Sequence, residues 1–125
     1  RSSFFGVYEN TVDGMVEKYV RSQSMGNRGD IRWMTLTDDK GYGLKITAGG
    51  DLGFSALHAR DWDLFRTIKY GHEFHKIQLP QTILSLDCVQ RGLGNQSCGP
   101  EPLPEFIPKS NHTYTLTFRM EGVIN

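Results

Sequence analysis

The chain has 125 residues, and its 14 Lys and Arg balance 14 Asp and Glu. That size suits one domain, or part of one, and 38% hydrophobic content with seven Phe, five Tyr and two Trp supports a modest core. Because neither sign of charge is blocked into a patch, nucleic acid and anionic membrane surfaces are set aside as partners; both select clustered Lys and Arg. No apolar run is long enough to span a bilayer. The chain opens on Arg1-Ser2-Ser3-Phe4-Phe5 without Met or a basic-then-apolar leader, the expectation being a fragment of a longer precursor. Cys88 and Cys98 have no cysteine framework around them, so disulfide dependence is not expected, with a single Cys88–Cys98 bridge as the alternative.

Taken in order, Val7 to Val12 reads as a strand. Val12, Met15, Val16 and Tyr19 then fall at helical spacing, which taken alone suggests a short helix. Tyr19-Val20-Arg21 is a short strand-like entry. Gly26-Asn27-Arg28-Gly29-Asp30 carries the chemistry of a tight loop in which positive φ is cheap. From Ile31 to Thr37 the side chains alternate, with Ile31, Trp33, Thr35 and Thr37 on one side and Arg32, Met34 and Leu36 on the other. Since both sides carry apolar bulk, this strand is expected to be covered on both faces, with Trp33 in the core. Asp38 to Gly43 is a turn, making a hairpin with Leu44 to Ala48. After a break at Gly49–Gly53, another short strand covers Phe54 to His58.

Asp61 to Ile68 is the helix candidate. Asp61 is placed to cap it, acids fill its first turn, and Trp62, Phe65 and Ile68 share a face, with Trp62 as the anchor. Strand signals return at Ile77–Leu79 and at Thr82–Val89. A Gly/Pro-rich loop covers Arg91 to Pro104, and a last strand covers Thr113 to Met120. Six to eight short strands and one small helix make an all-β antiparallel sandwich, with residues 1–125 as a single domain or half-domain.

Motifs for stand-alone chemistry are sparse. Asp38, Asp39, Asp61, Asp63, Asp87, Glu101 and Glu105 offer carboxylates for the paired acids of glycoside hydrolysis. Each also has a plain structural reading as turn, helix cap or solvated loop, and that reading is the stronger. His72-Glu73-Phe74-His75 lacks the spacing of a zinc helix and reads as a solvated loop. His58 and His112 read as hydrogen-bonded surface groups. Asn95-Gln96-Ser97 and Asn111-His112-Thr113 match a glycosylation triplet, which chance explains better. No GxSxG, phosphate loop or Cys/His nucleophile arrangement is present. Flat aromatic rings stack on the C–H faces of pyranoses, so Trp33, Trp62, Tyr42 and Tyr70 are the candidates for sugar contact.

The YVRSQSMGNRGDIRW stretch from Tyr19 to Trp33 resembles the C-terminal β-sandwich, or small chain, of β-galactosidases of glycoside hydrolase family 2. Supporting pieces run through Val7-Tyr8-Glu9-Asn10-Thr11-Val12, Phe54-Ser55-Ala56-Leu57-His58, Leu86-Asp87, Gly92 to Pro100 and Tyr114 to Arg119. The resemblance implies extended chain, rather than helix, over residues 12–19, and a part of a galactose-mutarotase-like supersandwich. It places the catalytic glutamates in a preceding barrel, outside this chain. Catalytic residues and metal ligands are therefore expected to be absent here, with Mg or Na held by the parent enzyme if anywhere. Partners would be the remaining domains of that enzyme, its galactoside substrate and, in a homo-oligomer, further copies; the setting would be bacterial cytoplasm or periplasm. The Gly92–Pro100 loop would reach the pocket, with Asn95, Ser97 and Cys98 on the substrate wall. At Cys98 many family members carry a Trp; a thiol offers no aromatic platform. Two further departures are Ser22, where the family often has Pro, and Ser24, where it has Glu; they remove a fixed φ and a charged partner for Arg28 or Arg32. The competing readings are a self-contained carbohydrate-binding sandwich and a purely structural domain.

Overall fold

The computed structural model describes residues 4–17, 25–66, 78–91 and 99–124. Its elements in chain order are a 3-10 turn at Asp13–Met15, strands β1 (Trp33–Thr37), β2 (Gly43–Ala48) and β3 (Gly53–Leu57), helix α1 (Asp61–Arg66), β4 (Ile83–Asp87), a second 3-10 turn at Pro104–Phe106, and β5 (Phe118–Val123). The fold is all-β and sandwich-like with one short helix. Two compact units share the chain: Arg1–Gly26 with Ala56–Leu84, and Asn27–Ser55 with Ser85–Asn125.

The second unit contains a three-stranded antiparallel sheet in the order β1-β2-β5. Its hairpin follows from local chemistry. Asp38 Oδ1 accepts hydrogen bonds from the backbone N–H of Lys40 and of Tyr42, each 2.9 Å, and Gly41 takes φ 84°. An Asp side chain that mimics a backbone turn in this way leaves the flanking residues free to pair. The register sets Met34 opposite Ile46 and Ile46 opposite Met120, so one face is an apolar row across three strands. Ile46, on the central strand, is 1% exposed. The other face carries Trp33, Thr35, Thr47, Lys45, Arg119 and Glu121.

That polar face corrects the expectation of a strand covered on both sides. Trp33 is 47% exposed rather than core, with the Lys45 ammonium 5.9 Å above its ring. The alternation decides it: Met34 takes the buried side, so its neighbour must take the wet one. β5 also begins later than the sequence suggested. Residues 113–117 make no ladder; the Tyr114 hydroxyl accepts from the Lys109 N–H at 2.6 Å, and the pairing starts at Phe118.

β3 and β4 form a two-stranded sheet, and the chain passes from one unit to the other within each of these strands. The first unit has its own small core of Met25, Leu57, Ala59 and Leu64, with Val16 against it. Among the described side chains of α1 Leu64 is the buried one, whereas Trp62, expected as the anchor, is 60% exposed. The cap also differs: Asp63, not Asp61, reaches back, its Oδ2 accepting from the Arg60 N–H at 3.1 Å. An acid at the third helical position satisfies a donor that the first turn leaves orphaned.

Val7–Val12 is not a strand. Val7 and Tyr8 are exposed, and the Asn10 side chain accepts from the Thr11 N–H, a local bond that competes with ladder formation. Beyond it each reading is met in part: Gly14 donates to Thr11 Oγ1 and Asp13–Met15 closes a 3-10 turn, while Val16 is extended at φ −69° and ψ 130°; Lys18 and Tyr19 lie outside the described residues. Gln78 and Leu79 lie outside any strand, although the Leu79 N–H bonds the His58 carbonyl at 2.7 Å. Tyr19–Arg21, Ser22, Ser24, Ile68, Tyr70, His72–His75 and Ile77 lie outside the described residues.

Candidate functional site

The loop motif Gly26–Asp30 builds the best-defined polar cluster of the second unit. Asp30 takes φ 54°, and Gly26, just before the cluster, takes φ 64°. Both lie in the left-handed region, where Gly is unpenalised and Asp is tolerated. Between them Arg28 exchanges two backbone hydrogen bonds with Phe54 of β3, at 2.8 and 2.9 Å, and Ile31 N–H bonds the Leu52 carbonyl at 3.0 Å. Asn27 Nδ2 donates to Asp87 Oδ2 at 3.0 Å. A Cβ on Gly53 would lie 3.3 Å from the Arg28 carbonyl oxygen, so a larger residue here would need that carbonyl to shift by a few tenths of an ångström. The motif is thus tied to β3 by backbone and to β4 by a side-chain amide.

Four of the seven carboxylates that sequence reasoning offered for chemistry have structural partners. Asp87 serves Asn27; Asp38 holds the hairpin turn; Asp63 caps α1. Glu101 lies 3.1 Å from Arg91 in an ion pair. Arg91 and Glu101 flank the 92–98 segment, and the signal that finds them is a pair of opposite charges at the two ends of a Gly/Pro-rich loop. Asn95, Ser97 and Cys98 lie outside the described residues, as does the Asn95 glycosylation triplet. Cys88 is a half-buried free thiol at the end of β4. Asn27, expected only to turn the chain, is a structural tie that the sequence reading missed; a loop Asn within reach of an Asp sixty residues away leaves no local pattern.

The histidines behave as their surroundings dictate. His58 Nδ1 lies 3.2 Å from the Gln81 carbonyl, and the His112 ring meets Tyr114 edge-on with centroids 4.7 Å apart. Among the described residues no group of three or more His, Cys, Asp or Glu is placed to hold a metal ion, and no helix is long and apolar enough to cross a membrane. For sugar contact, Trp33 and Tyr42 in the second unit and Trp62 in the first present exposed rings. Lys45 lies over the Trp33 ring, so a pyranose there would have to displace a cation–π contact.

The class these features define is an all-β, sandwich-like chain whose described polar groups serve turns, caps and strand ties. The family model for the β-galactosidase small chain matches residues 1–120. A β-galactosidase of Arthrobacter sp. (strain B7) is 30% identical over 110 residues, covering 84% of this chain and 10% of that protein. One from Priestia megaterium is 29% identical over 117 residues, covering 92% of this chain and 11% of the relative. A third, from Lactobacillus delbrueckii subsp. bulgaricus, is 32% identical over 105 residues, covering 83% and 10%. The chain belongs to the β-galactosidase small-chain family. It spans about a tenth of the length of the curated relatives it matches.

Proposed function

We propose that this chain is the non-catalytic small-chain portion of a longer β-galactosidase, bracing the catalytic domain and lending the Gly92–Pro100 loop to the wall of the active site. The observation that carries the reading is the family match over residues 1–120, set beside relatives about ten times longer whose names state the activity. Two structural features support it. Carboxylates at Asp38, Asp63, Asp87 and Glu101 each have a structural partner. Phe4, Phe5, Val7 and Tyr8 crowd large exposed apolar side chains into five consecutive positions, the kind of surface that marks an interface with other protein. The parent reaction is retaining hydrolysis of terminal β-D-galactosides, with its acid and nucleophile supplied elsewhere.

On this reading the isolated chain turns over no aryl galactoside; hydrolysis that disappears when one of its own carboxylates is changed would overturn the proposal. Isothermal titration with galactose or lactose gives binding no tighter than millimolar, since most of the pocket is contributed by other domains. Micromolar affinity would instead establish a self-contained carbohydrate-binding module. Within a full-length β-galactosidase carrying this segment, Cys98→Trp changes aglycone preference more than galactose recognition. Equal kinetics across several leaving groups would remove the loop from the wall.

A further inference from the structure

The two faces of the β1-β2-β5 sheet are finished to different degrees. On the polar face the charges already have partners: the Lys45 ammonium lies 5.9 Å from the centre of the Trp33 ring, and Arg119 and Glu121 form an ion pair at 2.8 Å. The opposite face is apolar. Its register sets three rows, Ala48 beside Phe118, Met34–Ile46–Met120, and Leu36–Leu44–Gly122, and no charged side chain stands at these paired positions. Cover over the rows is uneven. Ile46 is 1% and Met34 7% exposed, whereas Leu44 and Phe118 are each 38% and Met120 50% exposed. Along the middle row, burial holds on β1 and β2 and is lost on β5, one strand away.

A sheet buries its apolar face against another layer, which in a sandwich lies about 10 Å off. Alternation puts Phe118 and Met120 on the same side as Ile46. Cover that begins over Ile46 therefore has to run on over Leu44 and β5 before this face is closed. Adjoining Leu, Phe and Met side chains of this kind mark an interface, not a water-facing surface. The source of the missing layer follows from length. The chain spans about a tenth of its relatives, so about nine-tenths of the polypeptide in each of them is tethered to this segment. A tethered layer meets the face at an effective concentration near millimolar, whereas a second copy meets it only at its own concentration.

We propose that the Leu44–Phe118–Met120 side of the sheet is an interior seam of the parent protein. It is closed by the apolar face of a further sheet that the same polypeptide supplies from outside residues 1–125. The proposal rests on reading the chain as one portion of a longer protein, and it names the surface through which that portion meets the rest.

Crosslinking and thiol labelling in a full-length β-galactosidase carrying this segment test it. Benzoylphenylalanine in place of Phe118 crosslinks on irradiation to a peptide outside residues 1–125. In enzyme co-assembled from isotopically heavy and light chains, each crosslinked pair carries one isotope only. Independently, Leu44→Cys and Met120→Cys, with Cys88 and Cys98 changed to Ser, react with a maleimide about a hundredfold or more slowly in the native protein than in denaturant. Circular dichroism and sedimentation of each variant establish that it is folded, and the two small Cys substitutions stand if the bulkier crosslinker does not. Crosslinks confined to residues 1–125, crosslinks joining heavy to light chains, or native thiols as reactive as unfolded ones would each overturn the proposal. Hydrolysis of an aryl galactoside by the unaltered protein is measured separately; its absence would strike the galactosidase reading and leave a protected, crosslinked seam standing.

Discussion

Ile46 on β2 and Leu64 on α1 are the buried anchors of two regions built on different principles. Around Ile46 the structure is periodic: each residue of the sheet is placed by a register of pairs, and alternation alone assigns its face. Around Leu64 it is a cluster, in which Met25, Leu57, Ala59 and Leu64 meet from separate stretches of chain. The sheet's stability is shared among ladder hydrogen bonds and a row of side chains, whereas the cluster depends on a few apolar contacts and a six-residue helix too short to persist alone. Regularity therefore makes the pairing of the first region readable from sequence, whereas of the second only the short helix is.

Truncating each anchor breaks the comparison most sharply. Ile46→Ala leaves a cavity at the centre of the sheet and costs about 2–5 kcal/mol, read from urea unfolding. Leu64→Ala costs about 2–3 kcal/mol, nearer the lower end of that range because two of its described core neighbours, Met25 and Leu57, have flexible or branched side chains that can relax into the void. Hydrogen exchange separates them: the first variant loses protection in β1, β2 and β5, the second in α1. If both variants lost protection over the same residues, the two regions would not be distinct.

Smaller changes sharpen it. Asp38→Ala removes an acceptor for two backbone donors in the hairpin turn and costs about 1 kcal/mol, visible as a lower denaturation midpoint with unchanged slope. Asp63→Ala removes the reach-back bond to Arg60 and costs about 0.5–1 kcal/mol, with the loss confined to exchange in α1. The order of the four effects follows from burial first and hydrogen bonding second.

Much of the fold was legible before any coordinates. The hairpin of β1 and β2, the glycine break before β3, the helix at Asp61 and a strand within Thr82–Val89, observed as Ile83–Asp87, all announced themselves through alternation, turn residues and acids in a first turn. The errors share a cause. Val7–Val12 has strand-forming residues, but a strand exists only beside another, and none pairs with it among the described residues. Trp33 was placed inside because both faces of its strand carry apolar bulk, and Trp62 because it shares a helical face with Phe65 and Ile68, yet Met34 and Leu64 are the buried neighbours. The candidate site was legible only as a loop motif; that Asn27 bonds Asp87 and that Arg28 ladders with Phe54 are long-range facts.

By itself the sequence determined the class of fold, the positions of its turns and the family, because periodicity, glycine placement and motif order are local and additive. Tertiary structure alone decided which face of each strand is wet, which helix residue is buried, and which carboxylates are tied to turn, cap or neighbouring loop. Those outcomes depend on what each element meets in space, and no stretch of chain carries that information within its own span.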